Sequence, residues 1–176
     1  MWVFGYGSLM WDGWEHQFGC ARTERAQTSS FRRDFNKAST YRWGTKNAPG
    51  PTLGLEPAED AVCAGTAFEL HDDRSEEVIR YLREREGDDF TLEEHSIQLS
   101  DGSKVIAIVP VNHRTAATYC GAMTIARRAA MARVASGKAG NCRDYVSGIR
   151  EKLISMGVHD RSVEEFWSAI AEDENS

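Results

Sequence analysis

The stretch MWVFGYGSLMW, residues 1–11, governs how the rest of the chain is read. Its apolar run Trp2–Phe4 predicts a strand, extended to about Tyr6, that breaks off in Gly5-Tyr6-Gly7-Ser8 before Leu9 and Met10. Glycines at a strand end let the backbone turn sharply and approach another group closely. If a helical turn follows, its free N–H groups suit a carboxylate or another oxyanion. Spacing alone leaves two readings open, a plain tight turn or an anion site. The run starts at Met1, so no targeting segment is expected ahead of it.

Beyond this stretch the chain reads strand-rich first and helix-rich last. Further strands are predicted over Thr28–Ser39, Pro51–Leu55 and Ala61–Leu70, with a helix over Arg74–Glu86 stopped by Gly87. Glu94–Leu99 and Lys104–Val111 flank Asp101-Gly102, a favoured hairpin turn. Helices follow over Thr124–Ala135, Arg143–Met156 and Ser162–Ala171, with Gly137 and Gly140 as breakers and a frayed tail over 172–176. Helices do not alternate with strands, which argues against a doubly wound sheet. The expected fold class is α+β, one domain over 1–176 built on a curved sheet or small barrel with peripheral helices.

Composition narrows the partners. The net charge of −6, with both signs interspersed, argues against nucleic acid or an anionic membrane as the main partner. The densest basic group, Arg127, Arg128 and Arg133, reads as a solvated helix face. No apolar stretch approaches the ~20 residues of a membrane span. Cys20, Cys63, Cys120 and Cys142 form no C-x-x-C pair, and the five histidines show no ligand spacing, so neither metal nor disulfide framework is expected. Reduced thiols and the absent leader point to the cytoplasm.

Familiar glycine motifs do not fit the opening. A dinucleotide fingerprint would need a third glycine at position 10, which is Met10, and no Gly-Lys-Ser/Thr is present for a phosphate loop. Ser8 lacks the following glycine of a nucleophile elbow, which leaves it a weak candidate nucleophile. A stronger candidate lies in the Arg74–Glu86 helix. At about 100° per residue, Val78, Leu82 and Glu86 share one face, extended by Ile79, whereas Glu76, Glu77 and Glu84 point away. A carboxylate on the inward stripe, at the negative end of the helix dipole, is expected to have a raised pKa and to serve as a base near neutrality. The alternatives are a salt bridge to an arginine or a swing toward solvent.

Taken together, V-F-G-Y-G-S-L followed by an apolar residue and Trp resembles the ChaC-like branch of the γ-glutamylcyclotransferases. The resemblance continues through Phe31-Arg32-Arg33, Ser39-Thr40, Gly44-Thr45 and Pro49-Gly50, then Tyr81-Leu82 with Arg85-Glu86, and finally GKAGNCRDY over Gly137–Tyr145. It implies the family's small mixed β-barrel with peripheral helices and a cofactor-free, metal-free cleavage of glutathione, or a related γ-glutamyl peptide, to 5-oxoproline and Cys-Gly. It also implies Glu86 as catalytic base and acid, with Phe4, Gly5, Tyr6, Gly7, Ser8 and Leu9 around the γ-glutamyl end. Tyr119 and Tyr145 match later aromatic positions and are expected as hydroxyl donors or as ordinary half-buried tyrosines. Ser8 becomes a binding residue on this reading. Two segments depart from the family: Trp43 falls where many members carry arginine, and Gly87-Asp88-Asp89-Phe90 replaces a Gly-Gly-Tyr tendency. Both bear on which γ-glutamyl substrate is taken. A cyclotransferase acting on other γ-glutamyl amides, or a non-catalytic anion-binding module, are the competing readings.

Overall fold

The computed structural model describes residues 1–172, so the expected fraying beyond Glu172 lies outside the described residues. Strand β1 (Trp2–Gly5) pairs antiparallel with β3 (Gly50–Glu69) and parallel with β5 (Lys104–Asn112). With β2 (Arg22–Ser39) and β4 (Phe90–Leu99) they close a barrel in the order β1-β3-β2-β4-β5. Closure leaves the barrel itself without an open edge. Strand β1 is paired on both edges, and its adjacent Val3 and Phe4, which point to opposite faces, are both fully buried, so it reads as a continuous apolar run. In the β4–β5 hairpin, Ile97 and Leu99 alternate with more exposed polar neighbours, as does Ala107 with Ile106 and Ile108, whereas Val109 to Asn112 are buried without alternation. Gly102 takes the positive φ of 86° that its turn requires. The expected mixed α+β barrel is therefore observed.

Two long strands were harder to read. Pro51–Leu55 and Ala61–Leu70 are one strand, because the turn-like residues between them are absorbed as a local bend with Asp60 at φ 58°. Strand β2 likewise begins at Arg22, six residues early, and bends at Ser30, φ 65°. The breakers Gly137 and Gly140 do more than end a helix. They sit in a minimal hairpin of β6 (Ser136–Gly137) and β7 (Gly140–Asn141).

Contacts divide the chain into two compact units. The first comprises Met1–Arg32 and Pro57–His113; the second comprises Arg33–Glu56 and the chain from Arg114 onward. In the first, helix α1 (Ser75–Glu86) buries Val78 and Leu82 in a cluster with Val3, Leu9, Trp14, Phe18, Phe68 and Leu70. Gly87, at φ 75°, ends the helix and returns its N–H to the Arg83 carbonyl at 2.9 Å.

The second unit carries α2 (Ile125–Val134), α3 (Cys142–Ser155) and α4 (Arg161–Ala171), capped by Thr124, Asn141 and Asp160 side chains. Phe166 of α4 stacks on Phe35 at 4.2 Å. The basic group on α2 is not the solvated face expected from sequence. Arg127 is exposed, but Arg128 is buried and donates to Asp34 (2.7 Å) and the Phe35 carbonyl (2.9 Å), while Arg133 donates to the Ala169 carbonyl (2.8 Å). Their partners lie far away in sequence, so a local reading had nothing to pair them with.

Candidate active site

In the first unit, the opening stretch leaves β1 through Gly5 and enters a short 3-10 turn, Ser8–Met10. A Cβ on Gly5 would stand 2.9 Å from the Leu9 Cβ, which explains a glycine at a position of ordinary φ. Phe4, Gly5, Tyr6 and Leu9 are buried, and Tyr6 donates its hydroxyl hydrogen to the Pro110 carbonyl at 2.7 Å. Gly7 and Ser8 are the partly open residues of the loop. The N–H groups of Ser8 and Leu9 begin the turn and have no acceptor within it. The family-implied binding residues therefore divide: four build the loop from beneath, and two present it.

The loop is tied to the last turn of α1 by a closed set of contacts. Trp14 donates Nε1–H to the Leu9 carbonyl at 3.2 Å and stacks on Tyr81, 5.9 Å between ring centroids. The Tyr81 hydroxyl accepts from Arg85 Nη1 at 3.1 Å, and Arg85 Nη2 donates to Ser8 Oγ at 2.9 Å and to Asp12 Oδ2. Arg85 Nε faces Glu86 Oε1 at 3.4 Å. The Arg85 side chain is 5% exposed. Burial works against its charge, but the Asp12 hydrogen bond and charge outweigh that cost, and Glu86 and Tyr81 add to them. The pKa is raised above its already high ordinary value.

Glu86 ends α1 on the stripe of Val78 and Leu82, and its side chain is 19% exposed. The arginine partner that the sequence left as an alternative is also realised, in the adjacent Arg85. Glu76, Glu77 and Glu84 are exposed, as the helix geometry required. Sequence reading missed Asp12 and Trp14, and it quoted Tyr81 and Arg85 without a role. Their i, i+4 spacing, which lets the two side chains meet on one helix face, was the available signal. Ser8 faces a guanidinium, which takes no proton, so this contact supplies no base to activate it as a nucleophile.

The second unit holds a carboxylate that sequence reading missed altogether. Glu56, 3% exposed, accepts from Asn36 Nδ2 (2.7 Å) and Tyr119 Oη (2.8 Å) on one oxygen. Its other oxygen accepts from Arg114 Nε (2.9 Å) and Nη2 (2.6 Å). Burial pushes Glu56 up, but these donors outweigh it and hold the carboxyl below the usual range. Tyr119 thus donates to Glu56. Tyr145, 4% exposed rather than half-buried, accepts from the Leu53 N–H at 3.1 Å and packs on Trp43, 5.0 Å between rings. Among the described residues, no group of three or more His, Cys, Asp or Glu side chains is placed to hold a metal ion.

The sequence matches the ChaC-like protein family over residues 1–173, and the chain belongs to that family. It is 28% identical to γ-glutamylcyclotransferase 2-3 of Arabidopsis thaliana, across 97% of this chain and 88% of that one. It is also 28% identical to the glutathione-specific γ-glutamylcyclotransferase of Escherichia coli K12, across 97% and 72%. The fold is shared with a glutathione-specific γ-glutamyl cyclotransferase from yeast, at a TM-score of 0.89 and 20% identity over 98% of this chain and 96% of that one.

Proposed function

We propose that this protein is a glutathione-cleaving γ-glutamylcyclotransferase, with Glu86 as its proton carrier. The observation that carries the reading is the placement of Glu86 at the end of α1, joined through Arg85 to Ser8 of the opening loop. Family membership and the names of the relatives from Arabidopsis and Escherichia coli support the activity.

The substrate's α-amine nitrogen attacks its own γ-carbonyl carbon, closing a five-membered ring as the bond from that carbon to the cysteinyl nitrogen breaks. Glu86 takes a proton from the attacking amine and returns one to the leaving nitrogen, so 5-oxoproline and Cys-Gly form with nothing left over. Ring closure within one molecule is chiefly a matter of holding a near-attack shape, which a loop of fixed donors can do. The Ser8 hydroxyl and the N–H groups of Ser8 and Leu9 would grip the carboxylate or the developing oxyanion. The substrate is a small molecule, and no cofactor, nucleic acid or membrane enters the reaction. No helix among the described residues is long and apolar enough to cross a membrane. Cys20, Cys63, Cys120 and Cys142 are not joined in disulfides, which supports work in the cytoplasm.

Trp43 favours a second reading, a cyclotransferase for other γ-glutamyl amides. An indole packed on Tyr145 offers an apolar face where an arginine would offer a charge. The deciding experiment is 5-oxoproline release from glutathione beside a panel of γ-glutamyl dipeptides. Turnover of glutathione supports the first reading, turnover of dipeptides alone the second, and none at all a binding module.

A further inference from the structure

We propose that Trp11 is a specificity-determining residue of this reaction, an exposed indole that packs on the part of the substrate that leaves. The inference rests on the cyclotransferase reading above. Trp11 closes the 3-10 turn of the opening loop, its N–H donating to the Ser8 carbonyl at 3.2 Å. Such a turn has three residues, so positions i and i+3 share one side, about 6 Å apart. Burial agrees with that geometry. Leu9 and Met10 turn into the core, whereas Ser8 is partly open and Trp11 is 37% exposed. Trp11 therefore stands on the outer side of the loop, one turn beyond the Ser8 hydroxyl.

Its surroundings set it apart from the other tryptophans. Trp2 carries the Arg22 guanidinium over its ring, Trp14 stacks on Tyr81, Trp43 packs on Tyr145, and Trp167 lies under Arg143. The Trp11 ring and its Nε1–H have no such partner among the described residues. Its backbone is nonetheless fixed on both sides. Ser8 holds it from behind; ahead of it, the Asp12 carboxylate accepts from the Trp14 N–H at 3.4 Å and from Arg85 Nη2. A large apolar ring on a fixed backbone binds at low entropic cost, with an N–H left over for a polar group.

Substrate chemistry decides which part meets it. The γ-glutamyl end carries an ammonium and a carboxylate, which need charges and hydrogen bonds rather than an indole face. The leaving part carries the apolar carbon and thiol of cysteine in glutathione, or an aliphatic side chain in other γ-glutamyl peptides. Sulfur and aliphatic carbon both pack well on an aromatic ring. The substrate class favoured by Trp11 is thus γ-glutamyl peptides whose leaving residue bears such a side chain.

The test measures kcat and KM for 5-oxoproline release from glutathione, or from γ-glutamylleucine if dipeptides alone are turned over, in Trp11→Ala and Trp11→Phe. The affinity for γ-glutamylglycine, which has no side chain on its leaving part, is read as a competitive inhibition constant in the same assay. Trp11→Ala should raise KM about 5- to 20-fold with kcat within about 3-fold of wild type, while the γ-glutamylglycine constant moves less than about 2-fold. Trp11→Phe keeps an apolar ring and should hold KM within about 3-fold. Thermal melting checks the fold, and Trp11→Gln takes the place of Trp11→Ala if that variant does not fold. An unchanged KM overturns the inference. So does equal weakening toward both ligands, which would tie the ring to the shape of the loop or to the shared γ-glutamyl end. A wild-type protein that releases no 5-oxoproline from any γ-glutamyl substrate overturns the function as well; wild-type turnover with an unresponsive Trp11 overturns this inference alone.

Discussion

Each unit of this protein contains a glutamate facing an arginine, and the two pairs are built oppositely. Glu56 in the second unit is buried, accepts four hydrogen bonds of 2.6 to 2.9 Å and is held ionised by them. Glu86 in the first unit is partly open and stands 3.4 Å from an arginine more closely bound to Asp12. A carboxylate whose lone pairs are filled by fixed donors is good at staying charged and poor at taking a proton. On the proposed function Glu86 is the reactive member of the two, and residue type alone does not separate it from Glu56.

The largest test of that contrast is Glu86→Gln. It removes the proposed proton carrier and keeps the shape, so 5-oxoproline release should fall by about two to four decades while the thermal midpoint and substrate affinity stay close to wild type. Near-normal turnover would remove Glu86 from its role and leave the contrast without a reactive member.

Glu56→Gln should behave in the reverse way. Glutamine can still accept from Asn36 and Tyr119, but its amide places N–H donors against the Arg114 donors. The expected loss is about 1–3 kcal/mol of unfolding free energy, held at the lower end because the Arg114 side chain is 66% exposed and can turn to water. The pH dependence carries a definite sign. The folded-state pKa of Glu56 lies below its ordinary 4.5, so its stabilisation is complete above about that pH and drains away as pH falls through the lowered value. Urea unfolding between pH 7 and 3 should show this acid loss in the wild type and a flatter curve in Glu56→Gln. A loss of turnover beyond what the stability change explains would mean that Glu56 also serves the chemistry.

How much of this could be read from sequence follows the same division. Glu86 was legible because its neighbours Val78 and Leu82 lie on its own helix, where a periodicity of 3.6 converts position into facing. The opening loop was legible because its glycines are local punctuation. Glu56 was not, since its donors Asn36, Arg114 and Tyr119 stand 20, 58 and 63 residues away. Strand β3 was split in two for a related reason: Pro57 to Asp60 have turn chemistry, and the strand carries them as a local bend, with Asp60 at φ 58°, rather than ending there. The salt bridge to an arginine was left as an alternative for Glu86 because Arg85 stood one residue away and its turn toward the carboxylate was not written in the sequence.

Tyr119 and Tyr145 give a finer probe. Tyr119→Phe removes a donor from Glu56, and Tyr145→Phe removes the acceptor of a buried Leu53 N–H. Each should cost about 1–2 kcal/mol of stability. If their hydroxyls serve structure alone, KM stays within about 2-fold of wild type. A raised KM at unchanged kcat in either variant would instead give that hydroxyl the substrate role the family resemblance implies.

The smallest effect is expected from Glu84→Gln, and its smallness matters. Glu84 has the same charge as Glu86, lies two residues away on α1 and is exposed. If negative charge near the end of α1 were what counted, through its opposition to the helix dipole, removing Glu84 would shift turnover noticeably. If position counts, Glu84 points away from the Val78–Leu82 stripe, meets solvent, and its loss changes kcat and KM by less than 2-fold and stability by less than about 0.5 kcal/mol. A larger change in kcat would shift the explanation of Glu86 from its individual placement to the electrostatics of the helix end as a whole. The contrast with Glu56 would then concern fields rather than hydrogen bonds.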